Sequence, residues 1–296
     1  MTPWQRERSR AAVPFLLPAG VLLAVFVLWP LARATWWSFT NADLLAPADA
    51  AWIGLGNYSD LLQDARFRQA FANTAWFAVL VVPLQTIAAF FLALWVNRPE
   101  PMWRWLRVVF FLPVVVSLPV LAVVWTLLYQ PAQGDQIGFI NAALRSLGLP
   151  TQAWLRDPQT ALPALAFMSM WQGVGLQMMV FVAGLQSVPR ELLEAARIDG
   201  AGPLQRVWHV VVPALRPTLI FVVTVTTILA FRLFVQPYLM TRGGPDNRTL
   251  SLIQSIYEMT FLSQNLGRAC AAALLFLGLV GLLTLLQRWL AKEESA

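Results

Sequence analysis

Apolar residues in this chain gather into long uninterrupted windows, and the charged residues fall between them. Six windows reach the roughly 20 mostly apolar residues that a helix needs to cross the hydrocarbon core of a bilayer. They are 11–32, 69–97, 108–134, 158–189, 217 to about 240 with Arg232 inside it, and 269–287. The pattern predicts an all-α, polytopic membrane protein with six transmembrane helices over about 11–33, 70–96, 108–130, 160–186, 217–240 and 269–287. These lie in one membrane domain, 11–287, between a tail at 1–10 and a tail at 288–296. Ala32-Arg33-Ala34 resembles a signal-peptidase site, but the apolar stretch before it is longer than a signal h-region, so an uncleaved first helix is expected. Pro30, Pro83, Pro113, Pro119, Pro163 and Pro237 fall inside the windows, where neighbouring helices can satisfy the carbonyls that proline frees.

Composition narrows the function. Of 296 residues 58% are apolar and 12% charged, about half the charged share of a soluble domain, so lipid must serve as a second solvent. One cysteine, Cys270, leaves no internal disulfide and no thiolate cluster, and one histidine, His209, removes most His-based metal and acid-base chemistry, so the remaining classes are transport, anchoring and scaffolding. With the N- and C-termini cytoplasmic, the inside segments carry 12 Lys and Arg against 8 outside, and the net charge of +6 lies on the inner side or at Arg232. No loop shows a basic stripe interleaved with aromatics, so nucleic acid is not expected as a partner and anionic membrane lipid is.

The longest inner segment, 188–216, spells two short helices and a tight turn. Ser187 is expected as N-cap with Pro189 and Glu191 in the first turn, Gly200 and Gly202 as a helix end, Pro203 as the next start and Pro213 as its terminator. Leu192, Leu193, Ala196 and Val207 are expected to pack against the membrane ends, leaving Glu194, Arg197 and Asp199 exposed. Taken alone, the segment is either a solvated hairpin or a docking surface.

Glu194-Ala195-Ala196, three residues, Gly200, nine residues, then Val210-Val211-Val212-Pro213 resembles the EAA loop of the membrane permeases of ATP-binding-cassette importers. The departures are Val210 and Val212 where the family has Ile and Leu. The first helix with its exit (Phe15-Leu-Leu-Pro-Ala, Trp29-Pro-Leu, Ser38-Phe-Thr), Gly54-Leu-Gly-Asn-Tyr58, Asn73-Thr74, Phe111-Leu-Pro113, Gly184-Leu-Gln-Ser-Val-Pro189 and Thr241-Arg-Gly-Gly-Pro245 are similar to the carbohydrate-uptake branch, of the maltose and glycerol-phosphate type. The resemblance implies a binding-protein-dependent permease subunit in the inner or plasma membrane of a prokaryote. Its EAA coupling loop, with Glu194, Ala195, Ala196, Arg197, Asp199 and Gly200, would dock on an ATPase subunit. The implied partners are two ATPases, a second and usually different permease, an extracytoplasmic solute-binding protein and a sugar-like solute. ATP and Mg would be held by the ATPase, for the chain has no G-x-x-x-x-G-K-[ST] loop and is expected to bind no cofactor itself.

Candidates for the solute path are Arg232, costly to bury in lipid and therefore expected to face protein or water, and Gln236 one turn later. On the fourth span Gly173 and Gln177 share a face, with Gln172 and Ser169 on an adjacent stripe. Trp125, Tyr129 and Trp171 offer aromatic faces for a sugar. Each has a structural alternative: Arg232 as partner of a carbonyl or of the second permease, the glutamines as interhelical hydrogen bonds, the aromatics as membrane-interface or bulk residues.

Two other classes compete. An intramembrane protease needs a Ser–His pair or two aspartates within the membrane, and the spans contain no acid and no histidine. A stand-alone secondary transporter or channel commonly shows an internal repeat and intramembrane carboxylates, and neither is visible.

Overall fold

The computed structural model describes residues 15–133 and 136–293. Expectations for 1–14 and 294–296, which include the N-terminal tail and the end of the C-terminal one, lie outside the described residues. Among the described residues twelve helices of eight residues or more follow in chain order: α1 Phe15–Ser38, α2 Gly56–Gln63, α3 Ala65–Val96, α4 Pro101–Val115, α5 Leu118–Leu128, α6 Phe139–Ser146, α7 Ala161–Ser187, α8 Arg190–Ile198, α9 Pro203–Ala214, α10 Arg216–Phe231, α11 Leu252–Phe261 and α12 Leu266–Glu293. Among the described residues β-pairing is confined to three isolated bridges. Four helices are long and apolar enough to cross a membrane singly (α1, α3, α7 and α12), and the pairs α4–α5 and α9–α10 qualify as bent spans, with bends of 98° and 71°.

Proline explains where the predicted spans break. The span expected over 108–130 is two helices, because a continuous helix would press the Pro119 ring onto the Val115 carbonyl and leave that carbonyl without a donor; α4 stops at Val115 and α5 restarts at Leu118. Pro237 acts likewise on Leu233, so the span expected over 217–240 ends at Phe231 and resumes as a single wide turn, Pro237–Thr241. Pro83 and Pro113 stay inside continuous helices. The wide π-turns at Ala24–Leu28 and Val207–Val211 directly precede Pro30 and Pro213, and the local widening relieves the clash between the ring and the preceding turn.

The described chain divides into two compact units, one of residues up to 64 with 256–278, the other of 65–255 with residues from 279 onward. In the first, every residue of α1 before Arg33 is exposed. Its exit is held by Asn57, whose Nδ2 donates to the Ser38 and Thr40 carbonyls at 2.9 and 2.8 Å, and by the Tyr58 hydroxyl bonded to Ser38 Oγ at 2.8 Å. Phe39 stacks on Trp52, and Arg268 pairs with Asp64. Gly267 lies so close to the Thr40 carbonyl that a Cβ would collide with it.

The second unit is built around α3 and α7. Small residues Ala89 and Ala93 let α3 approach Met178, Phe181 and Val182 of α7, with Trp103 and Val222 closing the cluster. Gly175 puts the α7 backbone against the α4 backbone at Phe110, where no side chain fits. A second cluster joins Leu121, Trp125 and Tyr129 to Leu165, Met168 and Met240. Buried Asn141 spends its whole amide on four bonds, donating to the Gln130 and Gln152 carbonyls and accepting from Gln152 N and Trp154 Nε1, which closes the loop between α5 and α7. Asn73 clamps the 242–250 turn through the Asn247 and Leu250 carbonyls, at 2.7 and 2.9 Å.

Candidate functional site

Two places in the second unit gather the candidate residues. The first is a cavity of about 320 Å³ where α3, α7 and α10 meet the break after Phe231. Its polar wall is Gln85, Ser169, Gln172, Thr226, Arg232 and Gln236, and Phe77 and Phe234 are its aromatic faces. Arg232 is not inside a helix, as its place in a 217–240 span implied. It is the C-cap of α10, with its N–H bonded to the Ile228 and Leu229 carbonyls at 3.2 Å, so its cation sits at the negative end of the helix dipole. Its side chain is exposed and makes no ion pair among the described residues. Gln236 lies beyond the break instead of one helical turn on, yet reaches the same cavity and donates from Nε2 to Ser169 Oγ at 3.1 Å.

Gln177 departs from expectation. It is buried and does not line the cavity; its Nε2 donates to Thr226 Oγ1 at 2.5 Å, while its Oε1 has no partner among the described residues. The expected aromatic faces are elsewhere too. Trp125 and Tyr129 are core, Trp125 having its ring 5.2 to 5.7 Å from those of Tyr129, Phe167 and Trp171, and the Tyr129 hydroxyl is committed to the Ala164 carbonyl. Sequence reasoning missed Gln85. A Cβ on Gly173 would stand 2.5 Å from Gln85 Nε2, so that glycine makes room for the amide. The signal was present, as Gln85 is the one amide between Asn73 and Asn97.

The second place is the 188–216 segment. Ser187 is not an N-cap: α7 runs through it, its Oγ donates to the Gly184 carbonyl, and Pro189, which holds Val188 extended, becomes the N-cap of α8. Gly200 ends α8 with φ of +82°, Ala201 N bonding to Ala196 O at 2.9 Å and Gly200 N to Arg197 O at 3.2 Å, the paired closure a left-handed glycine permits. Gly202 and Pro203 start α9, and Gln205 Oε1 accepts from Gly202 N at 2.8 Å. Pro213 does not terminate α9, which passes it and stops at Ala214. His209 Nδ1 donates to the Gln205 carbonyl at 2.9 Å, a local role.

Leu193 packs against the cluster of Val188, Val211 and Leu215, whereas Leu192 is exposed rather than packed. Glu194, Ala195, Arg197, Asp199 and Gly200 are exposed, and Ala196 is half-buried. Sequence reasoning also passed over Ile198, 87% exposed between Arg197 and Asp199, with Leu204 and Trp208 exposed on α9. Among the described residues, its two chain neighbours aside, nothing comes within 4 Å of where a Gly200 Cβ would be. The hairpin thus leaves exposed the apolar side chains of Ile198, Leu204 and Trp208, the acids Glu191, Glu194 and Asp199, the cations Arg190 and Arg197, and a bare glycine.

Residues 85–295 match the family described as binding-protein-dependent transport system inner membrane component. The chain is 36% identical over 278 residues to the probable ABC transporter permease protein YurN of Bacillus subtilis, covering 92% of this chain and 93% of that one. It is 32% identical to the sn-glycerol-3-phosphate transport system permease protein UgpA of Yersinia pestis, over 97% and 96% of the two chains, and 30% identical to the sulfoquinovosyl glycerol transport system permease protein SmoG of Agrobacterium fabrum, over 90% and 86%. Its fold is similar to a chain of a bacterial ABC transporter involved in the import of the acidic polysaccharide alginate, with a TM-score of 0.82, 20% identity and 98% of each chain covered.

Proposed function

The chain belongs to the family of binding-protein-dependent transport system inner membrane components, and on that premise we propose that it is the permease subunit of an ATP-binding-cassette importer for a sugar or polyol. It moves solute by alternating access in a prokaryotic inner membrane, with both termini in the cytoplasm. A separate subunit binds ATP and Mg²⁺ and supplies the energy, and an extracytoplasmic binding protein delivers the solute. A second, different permease completes the pathway.

The observation that carries this reading is the exposed hairpin around Glu194 to Gly200. In a chain of this family, a helix that presents Ile198, two carboxylates and an unfilled glycine is built for a partner, and the ATPase is the partner whose motion must reach the membrane. The solute path runs along Gln85, Gln172, Arg232 and Gln236, with Gln177 supporting it through Thr226. Amides and a guanidinium recognise hydroxyls, and Arg232 adds preference for a solute with an acidic group. The solutes in the names of two relatives, sn-glycerol-3-phosphate and sulfoquinovosyl glycerol, are both anionic polyols.

Co-expression of the tagged chain with its second permease and ATPase tests the assignment. The ATPase should co-purify, and Glu194→Ala should leave membrane insertion intact while separating ATP hydrolysis from uptake. Uptake by the chain alone, with no ATPase associated, would replace this reading with a stand-alone secondary transporter or channel.

A further inference from the structure

Between the α3–α4 turn and the first turn of α8 lies a cavity of about 550 Å³ whose wall holds four arginines, Arg98, Arg104, Arg107 and Arg190, together with Asn97 and Gln186, and no carboxylate. None of the four arginines forms an ion pair among the described residues. Four like charges around one space repel one another, and an anion bound among them would remove that cost.

Two of the guanidiniums are held in place. Arg107 donates from Nε and Nη2 to the Val96 carbonyl at 3.0 and 2.8 Å, and from Nη2 to the Arg98 carbonyl at 3.0 Å. The Arg98 guanidinium lies 4.7 Å from the centre of the Trp103 ring. Arg104 and Arg190 are exposed and make no hydrogen bond to the protein among the described residues. Arg190 opens α8, where the positive end of the helix dipole adds to the same field.

The surroundings set the level of the site in the membrane. Trp95 at the end of α3 and Trp105 next to Arg104 in α4 are exposed, Trp95 packs edge-on at 5.3 Å to the Trp103 ring that carries Arg98, and α4 continues as the exposed apolar surface of Val108, Val109 and Leu112. Tryptophans at the end of an apolar surface mark the headgroup layer. We infer that this arginine basin binds the phosphate diester of an anionic membrane lipid such as phosphatidylglycerol, whose acyl chains lie along α4. Phosphate is the chemistry that arginines lining one cavity recognise, and the exposed tryptophans and apolar residues of the adjoining helices select a lipid over a free ion. The inference holds whatever solute the chain carries.

The full-length chain in detergent, examined by native mass spectrometry with phosphatidylglycerol or phosphatidylcholine of the same acyl chains, provides the test. The protein should retain phosphatidylglycerol preferentially, and the double variant R104Q/R190Q should weaken that retention roughly thirtyfold, about fivefold for each arginine near an anionic group. Neither replacement removes a hydrogen bond among the described residues, and circular dichroism checks that the variant is folded. The variant R145Q/R156Q, which loses the same charge elsewhere, should retain the lipid as the unaltered chain does. Equal retention of both lipids, equal loss in R145Q/R156Q, or unchanged retention in R104Q/R190Q would overturn the site. Full displacement of the lipid by excess inorganic phosphate would overturn the lipid assignment in favour of a free-anion site.

Discussion

The α8–α9 hairpin and the cavity at the α10 break are both candidate working parts of the chain, and they are built in opposite ways. The hairpin is one continuous segment whose order comes from local rules: a proline N-cap, a left-handed glycine, a second start at Pro203. It leaves apolar and charged side chains uncovered. The cavity takes its wall from α3, α7, α10 and the segment after the break, and its amides are largely withdrawn from solvent. A partner can lift and release the hairpin without disturbing a core, whereas any change in the cavity moves helices that pack on one another. On the proposed function, coupling force would enter where the chain is locally stable and exposed, and solute would pass where stability depends on the whole unit.

The sharpest way to break that contrast is Gly200→Asp. Aspartate tolerates the left-handed region better than most residues, so the strain is about 1 kcal/mol, too little to unfold the hairpin. Among the described residues beyond its chain neighbours nothing lies within 4 Å of where a Gly200 Cβ would be, so the new side chain starts into open space, and a large effect on uptake points to a contact with another subunit. Uptake should fall to background with the membrane content of the chain unchanged by immunoblot. Normal uptake would remove Gly200 from the proposed docking surface and count against the proposed coupling role of the hairpin.

The same contrast governs what could be read from the sequence. Six apolar windows and the loop with its Glu194-to-Pro213 spacing are contiguous features, and each corresponds to helices or a hairpin in the structure. The bends at Val115 and Phe231 are less legible because proline has two outcomes. Pro83 and Pro113 lie inside continuous helices, whereas Pro119 and Pro237 stand in the first turn of a new segment, and the residue type alone does not tell the two outcomes apart. Cavity membership was legible only in part. Gln172 and Gln236 reach the cavity from separate segments, Gln177 one turn from Gly173 does not, and Gln85 joins only because Gly173 clears space for it. Such relations are fixed by how helices rotate against each other, which a single sequence pattern does not encode.

Within the cavity, Arg232→Ala separates a path role from a structural one. Arg232 caps α10 through its backbone N–H, which alanine retains, and its side chain makes no protein hydrogen bond among the described residues, so assembly should be unaffected. If the guanidinium meets solute, uptake at saturating solute should drop roughly tenfold, the equivalent of about 1.5 kcal/mol for one charged hydrogen bond. Unchanged uptake with a normally assembled complex would reject the contact.

The smallest effect is expected at Gln177. Its bond to Thr226 contributes about 1 kcal/mol net, and its partnerless buried carbonyl oxygen costs a similar amount. Thr226 Oγ1 keeps its own donated bond to the Val222 carbonyl at 2.7 Å, so Gln177→Leu, close in volume, leaves no donor stranded. Thermal stability in detergent should therefore stay within a few degrees of the unaltered chain and uptake within about twofold. A loss of uptake comparable to that of Arg232→Ala, at unchanged stability, would mean that the floor beneath Thr226 opens during transport and that Gln177 meets solute in a conformation other than this one.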